Sequence, residues 1–377
     1  MLLAPVLFAG VFSGWIAIAQ FYLRHAGLTA LTFVAPLPVA AVGYWLGLQF
    51  EIELAPVCAM YACLFVIICV LLAFGRIARG VCDGLSPHDA VITALIGVVT
   101  PIGTTVAAFA FSVLAVVAFS PMLKTGLAAI VLILVAFALT LFAGWLAQWL
   151  SYSEKFIADA NAARERRERL GEMLSRTVET RWALSISGMT IILATVAAFG
   201  VQALRVQAWG FGIGIRVAVV ALVTFVLLVL AARNWRLALA QFLTLVFEVV
   251  LGLWAFARDL LPMIGDDAML MELSVTISAT SLALLASAAS RQLREGYLVE
   301  TALSRALQQD GPGVALACIA ATVPWLIVTL SGGAASFQLV AAFASIPGTL
   351  LVFPAVARAI YTLFPRYRSV EDVFGRR

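Results

Sequence analysis

Apolar runs long enough to cross a bilayer, roughly eighteen residues or more, recur along nearly the whole of this 377-residue chain. In lipid every backbone N–H and C=O must find its partner inside the protein, so such runs fold as helices or as strands of a closed barrel. Here the apolar residues run continuously and do not alternate, which selects helices. The fold class expected is an all-α polytopic membrane protein. Charged residues make up only 12% of the chain and apolar ones 63%, whereas a soluble domain carries roughly a quarter of its residues as charges.

Eleven transmembrane spans are expected. Five lie at about 2–22, 28–48, 55–75, 91–119 and 126–150, and six at about 182–203, 211–232, 236–257, 269–290, 312–331 and 334–363. The polar stretch 151–181 separates them, so the chain divides into a first bundle (1–150), a basic linker helix (151–181) and a second bundle with a short basic tail (182–377). The two bundles echo each other. At an offset of 211 residues Asp89 meets Glu300, Pro101 meets Pro312 and Ser120 meets Ser331. At an offset of 209, Arg24 meets Arg233, Leu28 meets Leu237, Phe33 meets Phe242 and Trp45 meets Trp254. Internal repeats on this scale characterise transporter folds, in which two bundles rock around a midplane site. The span at 182–203 has no partner in the first half.

Charge placement tests the layout independently, because cytoplasmic loops collect Lys and Arg. With Met1 outside, the inside loops and tail hold twenty of the 24 basic residues, and the outside holds only Lys124, Arg205, Arg216 and Arg258. The N-terminus is therefore expected outside and the C-terminus in the cytoplasm, in a multi-pass inner (plasma) membrane protein. Trp45, Trp145, Trp149, Trp182, Trp209, Trp235 and Trp254 fall near span ends, where interface anchors belong. The core of the linker, ARERRERLGEMLSR, is rich in helix formers. It reads as a basic helix on the cytoplasmic surface, a solvated linker held near anionic lipid. Ala17-Ile18-Ala19 has the form of a signal-peptidase site, but no cation precedes the apolar stretch, and the repeat claims the segment as a span.

The net charge of +4 is spread over many loops, which argues against a nucleic-acid partner. Cys58, Cys63, Cys69, Cys82 and Cys318 lack metal-type spacing and read as small packing residues. The two histidines, His25 and His88, lie in loops, so neither a metal centre nor a cofactor is expected. An integral-membrane enzyme needs clustered nucleophiles, acids or ligands at one membrane face. His88-Asp89 is the only hint of one, and the expectation is that the protein is not an enzyme.

From Asp89 to Trp149 the chain runs through an acidic helix entry, the Val99-Thr100-Pro101-Ile102-Gly103-Thr104-Thr105 start, the Phe119-Ser120-Pro121 turn and a helix from Gly126. The second copy runs from Glu300 to Phe364, with Leu330-Ser331-Gly332 at the turn and Phe353-Pro354-Ala355 near its end. This pattern resembles the last two helices of each half of a resistance–nodulation–division (RND) exporter, especially the MMPL-like branch that includes large mycobacterial lipid exporters. The resemblance covers most of the chain by pattern, without an invariant motif. It implies two pseudo-repeated bundles of the RND transmembrane core, without the porter domains and the first helix. It also implies a proton relay of carboxylates in the fourth helix of each half. Near those positions stand Leu71 and Leu72, and Leu285 and Ala286, so the usual relay does not carry over.

One acid is expected deep in the membrane. Glu248 lies twelve residues beyond Arg236, about 18 Å along a helix and near the middle of a core of roughly 30 Å. Ionising it there costs a few kcal/mol, so it is expected protonated or paired, with Gln241 or serines as neighbours. Its readings are a proton-titrating site, an anchor for a ligand head group, or an acid satisfied within the bundle. Ser274, Ser278 and Ser281 form an i, i+4, i+7 stripe, suited to close helix packing or to a lined pathway. Thr100 and Thr104 beside Pro101 are placed to satisfy backbone groups that the proline frees, or to line a cavity. The function expected is a permease or exporter core for a hydrophobic or lipid-like cargo, in contact with membrane lipids. The alternative is a lipid-sensing or accessory subunit whose partner supplies extracytoplasmic domains.

Overall fold

The computed structural model describes residues 3–117, 123–179, 185–197, 211–256, 266–330 and 345–364, and at several helix ends only the course of the backbone. Every regular element among these residues is helical. The first half contains α1 (Leu3–Leu23), α2 (Ala26–Val34), α3 (Leu37–Phe50), α4 (Ala55–Cys82), α5 (Pro87–Val117) and α6 (Leu123–Ser151). The linker forms α7 (Glu154–Glu179). After it come α8 (Ser185–Ala197), α9 (Phe211–Ala232), α10 (Trp235–Phe256), α11 (Asp266–Arg294) and α12 (Val299–Leu330). The last helix is α13 (Ser345–Leu363), with a π turn at Gly348–Val352. The expected span at 28–48 is two helices meeting at Ala35 and Pro36. Pro36 has no N–H to give to the carbonyl four residues back, and its ring crowds that turn.

The repeat is visible in the backbone. Arg24 (φ 55°) and Arg233 (φ 49°) both end a helix in the left-handed region, 209 residues apart. The next residue caps the following helix in each copy. His25 Nδ1 accepts from the Leu28 N–H at 3.2 Å, and Asn234 Oδ1 accepts from the Arg236 N–H at 3.1 Å. The turns after α4 and α11 also match, with Gly84 (φ 88°) and Gly296 (φ 93°) supplying the left-handed residue. There Leu85 N–H reaches back to the Gly80 carbonyl and Tyr297 N–H to that of Gln292.

The packing is reciprocal. In the first half α4 lies against α5 and α6 and crosses over to α12. In the second half α11 lies against α12 and α10 and crosses over to α5. α4 and α11 touch at the centre, and both are buried over most of their described length. The outer helices keep apolar faces outward, as with Trp145 and Trp149 on α6 and Leu222 and Leu230 on α9, which suits lipid as the solvent.

α7 differs from the solvated linker expected for it. Phe156, Ala160, Ala163, Arg167, Ser175 and Val178 form a buried stripe at helical spacing, and the helix packs on α12, α4 and α1. Its outer face carries the i, i+4 pairs Arg164–Glu168 and Glu165–Arg169. Phe156 meets the His25 ring edge-on, with centroids 5.4 Å apart. Burial holds the His25 imidazole below its ordinary pKa, opposed by Asp159. A lowered histidine pKa means that the contribution of the neutral ring is present above the unfolded value, about 6.5, and is lost as pH falls through the folded one. The protonated ring loses the Nδ1 acceptor that caps α2. The thermal midpoint is therefore expected to drop as the pH falls below about 6.5. His25→Asn, the residue of the equivalent second turn, is expected to flatten that dependence in a pH series of unfolding curves.

Candidate functional site

Four helices of the second half, α10 to α13, bring polar side chains together inside the bundle. α10 presents Gln241, Thr244 and Glu248 on one face, and all are buried. α11 presents Ser278 and Ser281, also buried. The Ser278 hydroxyl donates to Glu248 Oε2. The other oxygen, Oε1, is buried without a hydrogen-bond partner among the described residues, as are Gln241 Oε1 and Thr349 Oγ1. α13 closes the pocket at its π turn, where Gly348 lies so close to the Glu248 carboxyl that any Cβ would collide with it. Cys318 of α12 lies beside Ser281, Ser345 and Thr349. π turns interrupt the regular ladder and are frequent at functional sites. No ion pair to Glu248 occurs among the described residues. The arrangement is a carboxyl with one oxygen held and one free to take a proton or donate a hydrogen bond, packed among hydroxyls and a thiol.

Of the residues that the sequence singles out, Glu248, Ser278 and Ser281 thus come together, while Gln241 is buried on the same face of α10 two turns away. The side chain of Ser274 lies outside the described residues. Thr100 and Thr104 stand apart from this pocket on α5, Thr100 exposed and Thr104 half-buried. The Thr104 hydroxyl donates to the carbonyls of Thr100 and Pro101 at 2.9 Å each. Val39, the counterpart of Glu248 in the repeat, is buried, so the scaffold itself does not require an acid there.

A second cluster joins residues that no sequence pattern links. Asp310 of α12 is buried and takes two bonds from Arg76 of α4, Nη2 to Oδ2 at 2.8 Å and Nε to Oδ1 at 3.3 Å. Arg79 Nη1 adds a third at 3.3 Å. Arg76 Nη1 donates at 2.7 Å to the carbonyl of Gly97. That carbonyl stands four residues before Pro101, which has no N–H to offer it. One guanidinium thus repairs a proline defect in α5 and ties α4 to the second half. Asp310 lies in the N-terminal part of α12, just ahead of the span expected at 312–331. Burial pushes its pKa up, but Arg76 and Arg79 overrule it and hold the carboxyl at about 2. The contribution of this pair is accordingly present above about pH 4 and is lost as pH falls toward 2. A span ended at residue 75 makes loop cations of Arg76 and Arg79, whereas α4 continues to Cys82. The orphaned carbonyl ahead of Pro101 is the signal in the sequence that a donor is needed. At the relay positions Leu71, Leu72, Leu285 and Ala286 are buried, an apolar seam between α4 and α11.

No family model matches the chain, and no curated protein matches it. Solved structures do. SecDF from Thermus thermophilus, described as a translocon-associated membrane protein, superposes with a TM-score of 0.62 at 13% identity, over 96% of this chain and 62% of that one. SecDF in its super-membrane-facing form superposes with a TM-score of 0.59 at 10% identity, over 94% of this chain and 61% of that one. At such identities the likeness is one of fold. The chain spans about three fifths of the length of the SecDF chains it matches.

Proposed function

We propose that this RND-like, multi-pass membrane protein is a permease core in which protonation of Glu248 is coupled to movement of the two halves about the α4–α11 seam. The observation that carries the reading is Glu248 Oε1, buried without a partner among the described residues against the π turn of α13. An acid placed so in a membrane is costly to ionise and is typical of pathways. The cargo we propose is hydrophobic or lipid-like, following the resemblance to the MMPL-like branch, with the pocket hydroxyls anchoring a polar head group. The α7 face, where the basic residues gather, is the cytoplasmic face in this reading, and the inner (plasma) membrane is the site of action. The division at α7 separates the two moving bundles.

In proteoliposomes carrying a pH gradient and an internal pH dye, the wild-type protein is expected to dissipate the gradient. Glu248→Gln should slow this to the rate of protein-free liposomes. Equal rates for the two proteins would remove Glu248 from any proton path.

A second reading is favoured by the likeness in fold to a protein described as translocon-associated. The chain would then be an accessory subunit working with a partner that supplies extracytoplasmic domains. Native mass spectrometry of protein extracted gently from its own membranes separates the two. A retained lipid-like molecule that falls away in Glu248→Gln supports the permease, and a stoichiometric protein partner supports the subunit.

A further inference from the structure

The turn between α9 and α10 opens into a cleft of about 510 Å³ lined by Val229, Arg233, Asn234, Trp235 and Arg236. Its counterpart in the first half is closed. There α7 lies across the turn, with Arg24 donating to the Ala162 carbonyl and His25 packed on Phe156. No helix among the described residues plays the part of α7 in the second half. Among the described residues the repeat therefore builds the same turn twice and covers only one copy.

The open copy is held rigidly. Asn234 caps α10 with its Oδ1 and donates from Nδ2 to the Tyr361 hydroxyl at 2.6 Å. The Arg236 guanidinium lies 5.3 Å from the ring centroids of both Trp235 and Tyr361, contacts that fix its direction. Arg233 is exposed and makes no ion pair among the described residues. Trp235 and Phe364, both exposed and packed edge to face, form an aromatic rim of the kind that sits at the level of lipid head groups. From Arg233 an exposed apolar stripe leads away along α9 through Leu230, Val226 and Leu222. An exposed cation, an aromatic rim and an apolar track ending at that cation match an amphiphile with an anionic head.

We propose that this cleft binds the phosphate of an anionic phospholipid, with an acyl chain along the Leu222–Val226–Leu230 stripe. Arg233 supplies charge and hydrogen bonds to the phosphate, and the Asn234–Trp235 turn forms the wall beside it. The site is independent of Glu248 and of what the protein transports.

The test uses the full chain in phosphatidylcholine nanodiscs containing phosphatidylglycerol, with native mass spectrometry counting lipids kept after release. The wild-type protein is expected to keep one phosphatidylglycerol in preference to phosphatidylcholine. Arg233→Asn tolerates the left-handed turn, so the fold should survive. It is expected to weaken retention about five-fold, the change for one arginine near an anionic membrane surface. Arg233→Lys should restore most of it, and Arg24→Asn, at the closed turn, should leave it unchanged. Retention of phosphatidylglycerol unaltered by Arg233→Asn, or no preference in the wild-type protein, would overturn the proposal. So would displacement of the lipid by inorganic phosphate, which would make this a site for the free anion.

Discussion

Asp310→Asn is expected to destabilise the protein by about 3–5 kcal/mol, the cost of breaking a buried ion pair on one side. The neutral side chain keeps the shape but leaves Arg76 and Arg79 without their shared carboxylate, and Arg76 has only 10% of its side chain exposed. A surface pair would be worth a tenth of that; burial makes the difference here. Because Asp310 belongs to α12 and both arginines to α4, the loss falls on the contact between halves. Chemical unfolding in detergent micelles should show it. Replacing both charges, as in Arg76→Met with Asp310→Leu, should do less harm than Asp310→Asn alone, because no charge is then stranded. What remains would report the Gly97 carbonyl, which Arg76 also serves. An Asp310→Asn protein as stable as the wild type would mean that this cluster does not hold the halves together.

Gly171→Val is the second large effect expected. In the inner face of α7, Gly171 lies against the backbone of Gln308, and a Cβ there would run into the Gln308 carbonyl oxygen. That carbonyl stands four residues before Pro312, so its ladder partner is missing. The repeat thus places a proline in α5 and α12 alike and covers the two orphaned carbonyls differently, with Arg76 in one half and a closely packed glycine in the other. A side chain at 171 meets backbone, which cannot rotate away, so α7 must lift off α12. We expect a loss of about 1–3 kcal/mol and faster tryptic cleavage at Arg164, Arg169 and Arg176. Gly103→Ala is the control. A Cβ at 103 makes only ordinary contact with Phe137, and alanine improves a helix by roughly 0.5–1 kcal/mol, so that variant should be neutral or better. Equal behaviour of the two variants would remove the close-approach argument.

The polar pocket is partly legible in the sequence. Glu248 and Gln241 share a helix face by periodicity, and so do Ser278 and Ser281; what periodicity does not reveal is that the two faces meet. Thr349 and Cys318 stay silent, because one hydroxyl and one thiol in apolar segments carry no signal until a carboxyl is placed beside them. The arginine–aspartate cluster is illegible for a related reason. Hydropathy ends a span at the first cation, yet a helix whose cations are paired continues. Arg76 and Asp310 are 234 positions apart, and no local pattern links them.

Sequence alone determined that the chain is helical and membrane-embedded, because lipid offers the backbone no partner and continuous apolar runs must bond within themselves. It also carried the two-fold repeat, in residues such as Arg24 and Arg233, which stand at matching places 209 positions apart and which the structure turns in the same left-handed way. Tertiary structure alone decided which of the equivalent positions differ in use. One interhelical turn is covered by α7 and the other lies uncovered among the described residues, and one proline defect is met by an arginine and the other by a glycine. Backbone conformation follows from neighbours along the chain, whereas burial and pairing follow from neighbours in space, which the repeat supplies differently to each half.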